Sequence, residues 1–451
     1  MKWFKNFFSY QVFLVIFISF ICFLLFGSIL RHHYLGGKQF LEVQKVAIFF
    51  AELPSYVNKM IQSKSININK PPVLKKHSEK KNFNQILTNK REALLILPIY
   101  DHDLGKSLVK IIDLNNFETI HTYQHNVLEM WKQVTNIKEF PNLHIDDSPI
   151  RFEYRHPLLL KDGSLIADSD YTPIFKIDYC SNLIWINDEE SFHHSKMLDH
   201  ENNIWIPAKI YPHSKYVGNN QIKEFFDDAV IKINTDGKIL FKKSVIEILI
   251  QNKIVPKNFA INSILSNSMD PIHLNDIEPV FFDGKFWKKG DIFLSTPSLN
   301  AIIHFRPETN KVINYITGPF TRQHDVDIIS NKEISIFNNN NSITENEFSE
   351  ILIYNFETKN FKKIFNNQLT KEDFKTEFQG LSYMFKDGAL MVEEQGHGRI
   401  ILFDNEGNKE WEFVNKSKNG YIGFISWSRV IEDKIFIRNY KKIIENKKCI
   451  N

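Results

Sequence analysis

Residues 381–413 read LSYMFKDGALMVEEQGHGRIILFDNEGNKEWEF. Four short runs of β-favouring residues, Leu381–Phe385, Ala389–Glu393, Arg399–Asp404 and Glu410–Phe413, are separated by polar turns. Asp387-Gly388 between alternating runs is a strong hairpin signal, because glycine supplies the positive φ that a tight turn between twisted strands needs. The stretch predicts a four-stranded antiparallel meander. Its pattern returns upstream in HPLLLKDGSLIAD from His156, in SKMLDHENNIWI after His194 and in DVDIISNKEISIF after His324. Several meanders of similar length, each unable to bury both faces alone, predict an all-β fold of radially stacked units. Counting a weaker unit at Ala93–Tyr123 and the run Ile422–Arg438 gives a six-bladed β-propeller with four-stranded blades over residues 91–451. No long helical pattern is expected after Arg91.

Upstream of the repeats, Val12–Leu30 contains no charge, with Lys2 and Lys5 before it and Arg31 after it. A run of this length crosses a bilayer as a helix, and no small-residue cleavage site follows it. Residues 1–31 are therefore expected to be a transmembrane signal anchor. The protein is expected to be a single-pass membrane protein whose propeller lies in the periplasm or otherwise outside the cytoplasm. Residues 32–90 divide into a helical stalk, 40–61, and a polar basic linker containing Pro71-Pro72 and Lys75–Lys81, expected to be a solvated spacer.

The chain has 451 residues, 43% hydrophobic and 24% charged, with 39 Phe, 15 Tyr and 7 Trp, which is ample for a large packed core. A formal charge of +3 gives no case for nucleic acid. With three cysteines, one of them (Cys22) in the membrane run, a disulfide framework is excluded and a single Cys180–Cys449 bridge is left open. No phosphate-binding loop, dinucleotide fingerprint or nucleophile-elbow motif is present. No cofactor or metal is expected, and the oligomeric state is not legible.

In a meander, the start of the first strand and the turn between the second and third lie at the same end. His194, His273 and His324 open their units, and His397 occupies such a turn. All four are therefore expected at one mouth of the central channel. His193 is expected to point away from His194, as neighbours along a strand do. Arg322, Arg399, Asn275 and Asn338 are sequence neighbours of the same mouth and candidates for binding an anionic substrate.

At His193-His194, at HLNDIE (residues 273–278) and at QHDVDIISNKEISIFNNN (residues 323–340), the chain resembles the arylsulfotransferase (ASST) family and its arylsulfotransferase-like branch. The resemblance extends over residues 151–413. It implies transfer of a sulfuryl group from an aryl sulfate ester to a phenolic acceptor without a nucleotide donor, through a sulfohistidine intermediate. It implies His397 as nucleophile with His324 second, and His194 and His273 as acid–base or phenol-binding partners. The family carries an arginine where this chain has Asn338–Asn341, so the sulfate-binding role falls to Arg322 or Arg399, or is absent. The alternative is a non-catalytic propeller, tethered outside the cytoplasm, that binds a protein or an anionic ligand.

Overall fold

The computed structural model describes residues 2–34, scattered positions between 42 and 53, and 74–449 apart from 89, 137–139, 141–145, 171, 218–224, 255–268, 342–347 and 378. The chain divides into two compact units, residues 1–70 and 71–451. In the first, a helix spans Lys2–Tyr34. Its segment Tyr10–Arg31 has mean hydropathy 2.9 over 22 residues and is long and apolar enough to cross a membrane. Side chains such as Phe13 and Phe23 are exposed along it. The described positions of the stalk are helical; the rest of it, and Pro71-Pro72, lie outside the described residues.

The second unit is an all-β, propeller-like arrangement of antiparallel sheets. Its strands form as their turns dictate. Asp162 accepts a hydrogen bond from the Ser164 amide and Asp387 from that of Ala389, while Gly163 and Gly388 adopt φ of +80° and +87°. The first sheet joins Leu94–Asp101, Lys106–Asp113 and Glu118–Tyr123 to Arg429–Ile431 from the far end of the chain. Three further sheets begin with Asp276–Pro279, His324–Ile328 and Leu381–Met384. The last of these gains Phe83–Gln85 as a fifth strand, paired with Trp411–Phe413.

The remaining strands, between Leu158 and Ser244, form one eight-stranded sheet, so six separate four-stranded sheets are not found. The reason is the long strand Leu183–Phe192, whose end pairs with Ala208 and Lys209 and so bridges two strand groups. Neighbouring groups bury apolar faces against each other. Leu165 and Phe175 pack with Ile96 and Val109, and Val326 and Ile336 with Phe293 and Ile302. Met391 and Ile400 of the last sheet pack on Leu95 and Leu97 of the first, so the ring of cores closes on itself.

Two expectations are corrected. The basic run 75–81 is not a solvated spacer. Lys80 pairs with Glu412 at 2.7 Å, Lys76 with Glu394 at 2.6 Å, and the flanking Leu74 bridges to Ile422. Strands of the last sheet present carboxylates that the run itself gives no hint of. A helical run also does follow Arg91. Lys434–Asn446 is a helix capped by Asp433, and it buries Ile437 and Tyr440, the latter against Tyr123 with the two hydroxyls 3.0 Å apart.

Beyond that helix, Cys449 forms a disulfide with Cys180, 269 residues away in sequence. Cross-linking positions so distant restricts the unfolded chain and stabilises by about 2–4 kcal/mol. Reduction, or Cys180→Ser, is therefore expected to lower the melting temperature by about 2–5 °C. Scanning calorimetry with and without reductant checks this; coincident curves refute it.

Candidate active site

The mouth is built by a backbone device. His156, His194, His273, Arg322, Gln379 and Trp427 all have positive φ, from +36° to +62°, although none is glycine. Each lies two or three residues before a strand that opens a strand group: Leu158–Leu159, Met197–Leu198, Asp276–Pro279, His324–Ile328, Leu381–Met384 and Arg429–Ile431. A left-handed residue of this kind costs about 1 kcal/mol or more and persists where surrounding structure imposes it. Here it turns successive side chains towards a common centre.

There the imidazoles of His194 and His273 stand 5.2 Å apart centre to centre, and those of His194 and His324 6.4 Å apart. The indole of Trp427 lies 6.1 Å from the ring of His194 and 6.0 Å from that of His324. His194, His273 and His324 line an open pocket of about 470 Å³ with Arg322, Asp170, Glu377 and Gln379. His156 lies below, its ring 5.5 Å from Trp427 and its Nδ1 accepting from the Lys196 amide.

The three imidazoles differ in charge. Burial alone would depress His273, but the Asp270 carboxylate bonded to its Nδ1 overrides this and raises it to about 9. Asp270 also accepts from the His273 amide at 3.0 Å, fixing the pair. Burial, reinforced by the His273 cation, lowers His324 to about 3. Its Nδ1 faces two oxygens, Arg322 O at 3.0 Å and Asn339 Oδ1 at 2.8 Å, while its Nε2 accepts from the Gln379 amide. Burial and the neighbouring His193 and His273 hold His194 well below the usual histidine range. At neutral pH the pocket thus carries one imidazolium beside two neutral imidazoles.

His397 stands at the edge, outside this pocket. Its Nε2 lies 3.7 Å from Glu377, which does line the pocket, and its ring 6.2 Å from that of His77. Burial lowers it as well. Its turn is set by Gly398, at φ +64°, where an added Cβ would meet the Gly423 carbonyl at 2.3 Å. His77 arrives from the basic run, with Nε2 2.8 Å from Glu394, and Lys76 holds the other Glu394 oxygen at 2.6 Å.

Three expected substrate-binding residues do not face the pocket. Arg399 is fully buried and committed to Glu372, Glu394 and Glu412, on strands and loops that sequence proximity does not reveal. Asn338 is buried in its turn, serving the amides of Thr321 and Asn340. Asn275 is buried and donates to Gln323 O. Arg322 alone of the four lines the pocket. His193, expected to face away from His194, instead meets it, the two Nδ1 atoms 2.8 Å apart. Trp427, Glu377 and Gln379 were not singled out; Trp427 was in principle accessible as the residue before the inner strand of its unit.

Beneath Trp427 the channel holds Asp276, Glu278, Asp325 and Asp327 beside buried Arg429. Burial raises all four carboxyls, Asp276 to about 6 and Asp327 to about 7, and repulsion from neighbouring carboxyls adds to it at Glu278, Asp325 and Asp327. Asp276 accepts from the Val326 amide and Asp325 from that of Ser382, stitching neighbouring strand groups together. Among the described residues no group of three or more His, Cys, Asp or Glu side chains is placed to hold a metal ion.

A profile of the arylsulfotransferase (ASST) family matches residues 156–416. No curated protein matches the chain. Among solved structures it is similar to a protein of unknown function from Bacteroides caccae, at 13% identity over 74% of this chain and 98% of that one, with a TM-score of 0.47. It is similar also to virginiamycin B lyase from Staphylococcus aureus, at 11% identity over 76% and 99%, TM-score 0.38. TolB from Acinetobacter baumannii matches at 8% identity over 76% and 67%, TM-score 0.45.

Proposed function

Because the chain belongs to the arylsulfotransferase (ASST) family, we propose that it transfers a sulfuryl group from an aryl sulfate ester to a phenolic acceptor through a sulfohistidine intermediate. The observation that carries this reading is the convergence of His194, His273 and His324 on one pocket. Cationic His273 and Arg322 hold the sulfate oxygens, the role left open by Asn338–Asn341. Preorganised positive groups at the oxygens of the transferring group stabilise charge there without reorganisation.

His397 is the nucleophile. Its lowered pKa leaves a lone pair free at neutral pH, and its contact with Glu377 is long at 3.7 Å. His324 ranks second, because both its ring nitrogens are already engaged. Glu377 stands between His397 and the pocket, and an incoming sulfate ester of like charge displaces it. The His397 nitrogen then bonds sulfur while the bond from sulfur to the aryl oxygen breaks. In the second half the acceptor phenol gives its proton to His194, and its oxygen takes the sulfuryl group from His397. Substrate binding by Arg399, Asn275 and Asn338 is not part of this reading.

The eight-stranded sheet is two blades joined at Ser191–Phe192, giving six in all. Six left-handed entry residues and six hydrophobic clusters support that count. The N-terminal helix anchors the protein, and the Cys180–Cys449 bridge suits an oxidising, extracytoplasmic location for the propeller. A non-catalytic propeller holding an anionic ligand is the second reading, favoured by the place of His397 outside the pocket.

Full-length protein in detergent with p-nitrophenyl sulfate and phenol separates the two. Release of p-nitrophenolate, formation of phenyl sulfate and an acid-labile protein adduct are expected. Absence of turnover and adduct across a panel of aryl sulfates rejects the enzyme.

A further inference from the structure

Ordinary strand geometry would place His193 and His194 on opposite faces. Instead the strand ends at Phe192 and His194 adopts φ +59°, so the two rings meet edge to face, 5.0 Å apart. Their Nδ1 atoms are 2.8 Å apart, a hydrogen-bond distance that accommodates one proton between two nitrogens. His193 Nε2 lies 3.3 Å from Asp228 Oδ1, a contact that is attractive when that nitrogen carries hydrogen. Asp228 is fixed in turn by the Leu274 amide at 2.6 Å, and both it and His193 are 1% exposed. In a neutral pair, His193 is thus protonated at Nε2 and His194 donates from Nδ1. His194 Nε2 is then left with its lone pair in the pocket.

We propose that Asp228, His193 and His194 form a proton relay, with His194 as the base that receives the acceptor phenol's proton and His193 and Asp228 as positioning residues that draw the charge inward. This rests on the sulfuryl-transfer reading of the same pocket. The phenolic proton moves to His194 Nε2, and the proton on His194 Nδ1 moves to His193 Nδ1. The phenolate oxygen then bonds sulfur as the nitrogen–sulfur bond breaks. In the first half of the next cycle the same two protons step back, and the departing aryloxide leaves as a phenol. Donor and acceptor halves therefore balance without a proton from solvent.

Electrostatics give the relay its direction. A positive charge left on His194 would face the His273 imidazolium at 5.2 Å and Arg155. Moved to His193, it faces Asp228, with the carboxylates of Asp168 and Asp270 also acting on that ring. Asp168 is itself paired with Lys196, so Asp228 and Asp270 supply most of the attraction.

The test compares full-length parent, His193→Gln and the near-isosteric Asp228→Asn, using an unactivated phenol and a strongly acidic nitrophenol as acceptors. Loss of the relay is expected to slow transfer to the unactivated phenol by about 10²-fold and to leave transfer to the acidic phenol, already ionised, little changed. Equal losses with both acceptors, or no loss with either, overturn the relay. Should the parent turn over no aryl sulfate, the sulfuryl-transfer reading falls by itself, and ¹⁵N-histidine NMR decides the relay independently. That spectrum is expected to place the His194 proton on Nδ1, as assigned by the signal missing in His194→Gln; a proton on Nε2 overturns the relay.

Discussion

His397→Ala is expected to remove the acid-labile adduct and to cut turnover of p-nitrophenyl sulfate by on the order of 10⁴-fold, because a covalent route disappears with its nucleophile. Stability is expected to stay within about 0.5 kcal/mol of the parent. The ring of His397 is partly exposed, and Glu377, its ion-pair partner among the described residues, is 3.7 Å away. Gly398, not His397, holds the turn. Intact-mass measurement after mixing with donor, beside a melting curve, reads both effects, and added imidazole should restore part of the turnover. If the adduct survives in His397→Ala but vanishes in His324→Ala, the nucleophile is His324. If it survives in both, no sulfohistidine at either position carries the reaction.

Asp270→Asn is expected to move the alkaline limb of the rate profile. Asp270 is what lifts His273 to about 9 against its burial; without that carboxylate the imidazole falls to or below the ordinary value of about 6.5. At pH 8 the charged fraction then drops from about nine-tenths to about 3%, so kcat/KM falls by about 30-fold if the cation holds the sulfate oxygens. The fall shrinks at pH 6, where the variant regains charge. A limb that stays near pH 9 in Asp270→Asn removes His273 from the binding step. Stability follows with a definite sign. Because His273 is raised in the folded state, its pair with Asp270 stabilises fully below about pH 6.5 and is lost as pH rises through 9. His324, lowered to about 3, works the other way, losing its contribution as pH falls from about 6.5 towards 3.

The repeating strands were legible because their signals are local. Asp162-Gly163 and Asp387-Gly388 fix turns within a few residues, and the equivalent places of His194, His273 and His324 followed from counting along such units. What failed depended on distant partners. Nothing beside Arg399 in the chain announces Glu372 or Glu412, and nothing near Lys80 announces Glu412 across the last sheet. The meeting of His193 with His194 was hidden for another reason. A left-handed conformation is signalled most strongly by glycine; histidine is only modestly enriched there, so the double histidine gives no decisive mark of it. The helix Lys434–Asn446 has a legible cap in Asp433, but its first residues fall within the run Ile422–Arg438, whose composition reads as part of the β repeat.

The first sheet takes strands from both ends of the folded unit, Leu94–Asp101 from one and Arg429–Ile431 from the other. The same late stretch supplies Trp427, whose indole stands against His194 and His324. During synthesis His194 and His324 therefore precede by about a hundred residues or more the stretch that places Trp427 against them. A product that stops short of these residues lacks the strand Arg429–Ile431 and leaves the edge of Leu94–Asp101 unpaired on that side. Closure of the ring of sheets thus waits on the last strand to be made.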